Sequence, residues 1–200
     1  MPPVNSILFD FDGVLLDSEP IHFSCWQEAL APLGVRIDWE THGRNVVGFS
    51  ERATVEFFAA SQGRDVEELW ARYPVKQQLF RERMAAGAPF APGLADFLEE
   101  LGRRYKLAVV TSSGRSEIEP VLERSGLRRF FGVVVCGDDV EHPKPAPDPY
   151  LLAARLLGVD TALVVEDSDA GMESARRAGF EALRVGSAAE TIPLVRARAL

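Results

Sequence analysis

Four short stretches carry reactive side chains at the ends of apolar runs. In the first, Ser6 to Phe9 leads into Asp10-Phe11-Asp12-Gly13, with Asp17 further on. Carboxylates at the end of a buried strand are costly unless a cation or hydrogen-bond donors compensate them. Two other readings compete: acids that only cap the next helix, and a calcium loop. A calcium loop needs more oxygen ligands at alternate positions and a closing glutamate. Phe11, Val14, Leu15 and Leu16 do not supply them. The second stretch ends Val109-Val110 in Thr111, Ser112, Ser113 and Gly114. Hydroxyls and free N–H groups at a strand-to-helix turn hold phosphate oxygens without adding charge, although Ser and Thr are also ordinary helix caps. The third is Lys144 between Pro143 and Pro145, where restricted backbone gives the ammonium a fixed origin. The fourth, Val164 to Gly171, again ends an apolar run in acids, Glu166, Asp167 and Asp169.

The runs before these residues read as strands. Residues 6–10, 107–110, 132–136 and 162–165 are continuous, largely β-branched or apolar runs bounded by turn residues, as strands covered on both faces are; 182–185 is a weaker fifth. Helical patterns alternate with them. Leu94, Phe97, Leu98 and Leu101 share one helix face. Asp148 reads as an N-cap before Pro149, opening a helix to Leu157 that stops at Gly158, and 170–178 forms another before Gly179. Strand–helix alternation from residue 90 onward predicts a parallel α/β sheet, whose ligands sit at the carboxyl ends of the strands.

Residues 18–89 differ. Ile21, Cys25, Ala29 and Leu33 give a helical stripe, and further helical stretches cover 51–60 and 66–84 with no convincing strand. The Gly-, Pro- and Ala-rich segment 85–93 suits a linker. The expected organisation is an α/β core of residues 1–17 and 90–200, with 18–89 inserted as a helical cap.

Bulk properties narrow the function. The chain has 200 residues, enough for one substantial core and a small second lobe. A net charge of −8 disfavours nucleic acid and anionic lipid, which need a basic footprint. No apolar stretch approaches a membrane span, and no basic segment precedes the first apolar run. Two cysteines without a CxxC spacing read as free thiols. The expectation is a monomeric, cytoplasmic protein with no nucleic-acid or membrane partner.

In this order, the four stretches resemble the motifs of the haloacid-dehalogenase-like superfamily of phosphohydrolases. DFDGVLLDSEP (10–20) looks like its first motif, VVTSSG (109–114) its second, PKPAPDPY (143–150) its lysine motif and VVEDSDAG (164–171) its acidic fourth. The resemblance covers essentially the whole chain. It is nearest to the subfamily of β-phosphoglucomutases, phosphoglycolate phosphatases and sugar-phosphate phosphatases. It implies a Rossmann-like parallel sheet ordered 5-4-1-2-3 with an inserted α-helical cap, the site lying above the first strand. It further implies Asp10 as nucleophile, Asp12 as general acid and then base, and Thr111 and Ser112 on the transferring phosphoryl group. Lys144 would bridge Asp10 and phosphate. Mg²⁺ would be held by Asp10, Asp167 and the backbone carbonyl of Asp12, with Glu166 joining directly or through water. His22 would couple cap closure to Asp12.

Charge balance supports those roles. Mg²⁺ and Lys144 together roughly offset a phosphate dianion and one carboxylate, and Mg²⁺ suits a sparse acidic set. A carboxylate nucleophile divides hydrolysis into two in-line displacements. Asp12 would need a raised pKa to donate a proton near neutrality, which cap closure and desolvation would supply. Lys76 and Arg52 are cap candidates for touching the leaving group. The mutases carry a cap arginine after a Val-Gly pair; here Glu51 and Arg52 stand in that neighbourhood, the arginine displaced by one residue. The leading expectation is therefore hydrolysis of a small phosphorylated metabolite, a sugar phosphate or phosphoglycolate-like compound. A phosphomutase is the alternative. A non-catalytic binding protein is disfavoured because Asp10, Asp12, Lys144 and Asp167 are all present.

Overall fold

A computed structural model describes residues 4–200. Its secondary structure runs β1 (Ser6–Phe9), α1 (Glu19–Leu30), α2 (Trp39–Asn45), α3 (Glu51–Gln62), α4 (Val66–Trp70) and α5 (Tyr73–Gly87). It continues with α6 (Leu94–Gly102), β2 (Lys106–Val110), α7 (Arg115–Ser125), β3 (Val133–Val135) and α8 (Asp148–Leu157). The chain ends through β4 (Leu163–Glu166), α9 (Asp169–Ala178), β5 (Glu181–Arg184) and α10 (Ala188–Ala199).

The strands form one parallel sheet in the order β3-β2-β1-β4-β5, the Rossmann-like order the motifs imply, read from the opposite edge. Ile7 lies opposite Leu107 on one side and Leu163 on the other, which centres β1. Alternation then divides each strand between two cores. Ile7, Phe9, Leu107, Val109, Leu163 and Val165 face a layer containing α6, α7 and α10. Leu8, Ala108, Val110 and Val164 face Tyr150 and Ala153 of α8 and Ala175 of α9. Apolar residues at both phases explain why these strands show no polar alternation in sequence.

A third core is built from Trp26, Leu30, Val35, Ile37, Val46, Val55, Phe58, Ala59 and Leu69, all within α1 to α4 and their connections. These helices stand over the carboxyl end of the sheet, with α5 packed along α1 and α7. No described helix is long and apolar enough to cross a membrane. Cys25 and Cys136 are free and buried, and burial pushes their thiols up to about 11 and about 12.

Some local readings change. The expected helix over 66–84 is two, because Pro74 enters the first turn of α5 and cannot continue an earlier ladder. Asp148 is the first helical residue of α8 and Pro147 the cap position; its carboxylate faces His142 Nδ1 at 3.2 Å. Helices α7 and α10 carry internal prolines, Pro120 and Pro193, which hide their periodicity.

Packing depth should decide which apolar side chains matter. Phe97→Ala, deep in the α6 layer, is expected to lower unfolding free energy by about 3–5 kcal/mol. Leu156→Ala, on the outer face of α8 and 59% exposed, should stay within about 0.5 kcal/mol of wild type. Urea denaturation of both variants measures the contrast.

Candidate active site

The parallel sheet delivers its strand ends to one place. Asp10 follows β1, Thr111 follows β2, and Glu166 closes β4 with Asp167 next. Lys144 reaches in from the loop before α8. Its ammonium donates to Asp10 Oδ1 at 2.9 Å, to the Val110 carbonyl at 2.9 Å and to Glu166 Oε1 at 2.5 Å. Burial works against the charge on Lys144, but Asp10 and Glu166 outweigh it and raise its pKa. The ammonium is thus permanently charged and fully committed.

Glu166 is the hub of this cluster. One oxygen also accepts from Tyr150 Oη at 2.7 Å. The other accepts from the backbone N–H groups of Asp167 and Ser168 and from the Ser168 hydroxyl, at 3.1 to 3.2 Å. Five donors leave Glu166 little capacity for anything else. Asp10 and Asp167 are less compensated. Burial, and then the neighbouring carboxylates, push Asp10 well above the usual range despite Lys144. Burial first and Glu166 second push Asp167 up to about 7. No donor reaches the Asp167 carboxylate among the described residues. Asp10, Glu166 and Asp167 each offer an oxygen within 4.8 Å of the others. An under-compensated buried carboxylate in an all-oxygen set fits a hard divalent cation. Gly13 makes room for the grouping: it sits at φ 72°, and a Cβ there would collide with the Asp167 carboxylate.

Asp12 lies across the cavity and is surrounded by donors. One oxygen accepts from the Ser18 hydroxyl and faces His22 Nε2 at 3.0 Å. The other accepts from Ser113 Oγ at 2.8 Å and Thr111 Oγ1 at 3.3 Å. Burial alone would raise its pKa, but His22 and the Ser18 and Ser113 hydroxyls reverse that and hold Asp12 well below the usual carboxylate range. The raised value expected from desolvation is therefore not what this closed arrangement produces. Closure brings the donors along with the desolvation.

Behind His22 stands a buried charge cluster. Lys76 of α5 is fully buried; it donates to His22 Nδ1 at 2.9 Å, to Glu117 Oε1 at 2.8 Å and to Glu51. Trp26 Nε1 donates to the second Glu51 oxygen at 2.9 Å. With Lys76 donating to Nδ1, the His22 proton sits on Nε2, aimed at Asp12. Glu117 belongs to α7, which packs against the sheet.

The cavity enclosed by these groups is lined by Asp10, Asp12, Thr111, Ser112, Lys144 and Asp167 below, and by His22, Trp26, His42, Phe49 and Glu51 above. Its free volume, about 40 Å³, holds only a few waters. At its rim Ser112 Oγ donates to the Gly48 carbonyl at 3.4 Å, joining the turn after β2 to the segment between α2 and α3. Of the cap candidates, His22 lines the cavity and Lys76 sits behind it. Arg52 lies outside, paired with Glu56 and Glu67 on the surface. Asp17 accepts from the Ala188 N–H at 3.1 Å, tying the first loop to α10. Glu117, Ser18, Ser113 and Tyr150 were not singled out as site residues, and of these only Ser113 had a signal, its place in the hydroxyl run after β2.

Comparison with known proteins follows the same lines. The profile of the family described as haloacid dehalogenase-like hydrolase matches residues 7–185. A phosphorylated carbohydrates phosphatase of Thermotoga maritima is 33% identical, over 89% of this chain and 83% of that protein. Fructose-1-phosphate phosphatase YqaB of Escherichia coli is also 33% identical, over 90% of this chain and 95% of that protein. The crystal structure of CbbY from Rhodobacter sphaeroides in complex with phosphate superposes with a TM-score of 0.79 at 31% identity, covering 90% of this chain and 85% of that one.

The acidic cluster yields a stability test. Because the folded state holds a proton on Asp167 up to about pH 7, against an ordinary value of 3.8, metal-free stability is lost as pH rises through that window. A divalent cation should reverse the loss. Mg²⁺ is expected to raise the melting temperature more at pH 8 than at pH 5, and Asp167→Asn should remove most of the difference. Differential scanning calorimetry with and without the ion reads it directly; equal shifts at both pH values would contradict the assignment.

Proposed function

Because the chain belongs to the haloacid dehalogenase-like hydrolases, we propose that it is a Mg²⁺-dependent phosphatase that cleaves a small sugar phosphate through an aspartyl-phosphate on Asp10. The observation that carries this reading is Lys144 bound to Asp10 at 2.9 Å, beside the Asp167 carboxylate and the Thr111 hydroxyl, at the carboxyl edge of a parallel sheet.

Asp10, Asp167 and the Asp12 backbone carbonyl would hold the ion, with Glu166 orienting the set. The bound ion supplies positive charge between the Asp10 carboxylate and the phosphate dianion, which otherwise repel. Lys144 adds a second cation and fixes the Asp10 rotamer. Thr111 and Ser112 hold phosphoryl oxygens. The Asp10 oxygen attacks phosphorus, the bond to the leaving oxygen breaks, and a proton delivered to that oxygen completes the first step. Water then attacks the acyl-phosphate and gives up a proton to a base, releasing inorganic phosphate and restoring Asp10.

Asp12 serves both proton transfers. Held ionised by His22, Ser18 and Ser113, it is ready to act as the base of the second step. The first step needs it protonated. His22 belongs to α1, so its contact with Asp12, which holds that carboxyl low, depends on where the cap helices sit. Cap position and protonation state are in this way linked.

The cap chemistry favours hydrolysis over the mutase alternative. A mutase must hold a distal phosphate while the proximal one is transferred. Lys76, the cation available for that task, already serves Glu51, Glu117 and His22. Among the described residues no arginine lines the cavity, while Glu51 and Glu19 do. A second phosphate would meet like charge, at a cost of order 4 kcal/mol per charge pair near 4 Å at an effective dielectric of about 20.

A phosphate-release screen over a panel of phosphorylated metabolites, with and without Mg²⁺, tests the activity. Asp10→Asn should lose several orders of magnitude in turnover while keeping a native circular dichroism spectrum. Retention of more than about a tenth of wild-type activity would remove Asp10 as nucleophile.

Phosphorus NMR on hexose 1- and 6-phosphates, with bisphosphate added, separates the two outcomes. Stoichiometric inorganic phosphate is expected, with little interconversion; rapid isomerisation with negligible free phosphate would establish the mutase instead.

A further inference from the structure

Tyr150 touches two members of the Lys144 cluster, and the reaction scheme gives it no part. It lies on α8 and is fully buried. Its hydroxyl donates to Glu166 Oε1 at 2.7 Å. Its ring faces the Lys144 ammonium, with Nζ 5.0 Å from the centroid. Lys144 donates to that same Glu166 oxygen at 2.5 Å. A buried phenol needs a single acceptor. That this one is a carboxylate oxygen already bound to an ammonium calls for a reason.

The lone pairs of Glu166 supply it. A carboxylate offers about four lone-pair sites, two on each oxygen. Here Oε1 takes Tyr150 and Lys144, while Oε2 takes the N–H groups of Asp167 and Ser168 and the Ser168 hydroxyl. Both oxygens are filled. Yet Glu166 brings an oxygen within 4.8 Å of Asp10 and Asp167, the under-compensated pair. Position alone would make Glu166 a third carboxylate for a cation held there. Its other side-chain donors have further duties: Lys144 also binds Asp10 and the Val110 carbonyl, and the Ser168 hydroxyl caps α9. Among the described residues, the Tyr150 hydroxyl bonds to Glu166 and to nothing else.

The number of carboxylates governs the kind of ion. Mg²⁺ is usually bound through one or two, keeping waters and substrate oxygens in a tight octahedron, whereas Ca²⁺ takes more oxygens at longer distances. A third carboxylate would therefore strengthen Ca²⁺ binding more than Mg²⁺ binding.

We propose that Tyr150 is a positioning residue: by filling Glu166 Oε1 it keeps Glu166 as the partner of Lys144 and out of the ion's shell. The ion site is thereby limited to the side chains of Asp10 and Asp167, which favours Mg²⁺ over Ca²⁺. This inference rests on the phosphatase reading, in which the cluster holds an ion, and concerns which ion is selected.

The test is equilibrium binding without substrate or turnover. Melting-temperature titrations with Mg²⁺ and with Ca²⁺ give apparent dissociation constants for wild type, Tyr150→Phe, Glu166→Gln and the double variant. Phe keeps the ring against Lys144 and removes only the hydroxyl. Tyr150→Phe should shift the ratio of the two constants toward Ca²⁺ by about tenfold. Because the freed lone pair belongs to Glu166, the same change in the Glu166→Gln background should shift the ratio by less than about twofold. A ratio unmoved by Tyr150→Phe would reduce Tyr150 to packing and overturn the inference. An equal shift with and without the Glu166 carboxylate would also overturn it, since the hydroxyl would then act by another route. Wild type keeps the test decisive even if Tyr150→Phe folds poorly: Ca²⁺ bound about tenfold or more tightly than Mg²⁺ would mean that a third carboxylate already joins the ion. Wild type whose melting temperature neither ion raises would overturn the Mg²⁺-dependent reading itself, and the inference with it.

Discussion

Lys144 sets one ammonium against two buried carboxylates, Asp10 at 2.9 Å and Glu166 at 2.5 Å, and the surrounding architecture makes that arrangement tolerable. Buried charges hold only where every partner is present, since removing one strands the others. The sheet supplies the Val110 carbonyl to Lys144, α8 supplies the Tyr150 hydroxyl to Glu166, and the turn into α9 supplies two N–H groups and the Ser168 hydroxyl. Even α9 is shaped by the need. Gly171 stands where any Cβ would strike the Glu166 carboxylate. What remains uncompensated is Asp167, and that residual negative charge is what the structure leaves for a cation.

A second set of charges joins the helices above the sheet to α7 and the loop after β1. Glu51, Lys76 and His22 come from α3, α5 and α1, Glu117 from α7 and Asp12 from the loop after β1. Lys76 gives each of its three protons to a different acceptor, so the cluster is complete only when α1, α3, α5 and α7 are packed together. Glu117 is entirely buried, and separation from Lys76 would oblige it to find water or a proton.

The residues at strand ends were legible because each follows an apolar run, and a hydrophobic strand that stops on a carboxylate or hydroxyl is conspicuous. Asp10, Thr111, Glu166 and Asp167 all carry that mark. The sheet order came from the motifs, not from periodicity. Glu117 was invisible for a different reason. In sequence it is one acid in the charged helix Arg115–Ser125, and its burial depends on α5 docking from 41 residues away. Arg52 was misleading in the opposite sense: it stands near a mutase-like position, yet its guanidinium spends itself on Glu56 one turn along and on Glu67. The raised Asp12 pKa failed because desolvation was weighed without the hydroxyls that accompany it. Side-chain partners over long sequence separations are what one chain of letters conceals.

The Glu51–Lys76–Glu117 triad also constrains how this sequence can change. Replacing Glu51 with a cation would set it against buried Lys76, and replacing Lys76 first would leave Glu51 and Glu117 without a counterion. Substitutions within such a cluster are strongly non-additive, so either change is harmful alone and tolerable only with its companion. A lineage drifting toward bisphosphate substrates would have to cross that valley, or first neutralise Glu117 at a distance from any ligand. The order of mutations, not merely their sum, would decide whether the new specificity is reachable.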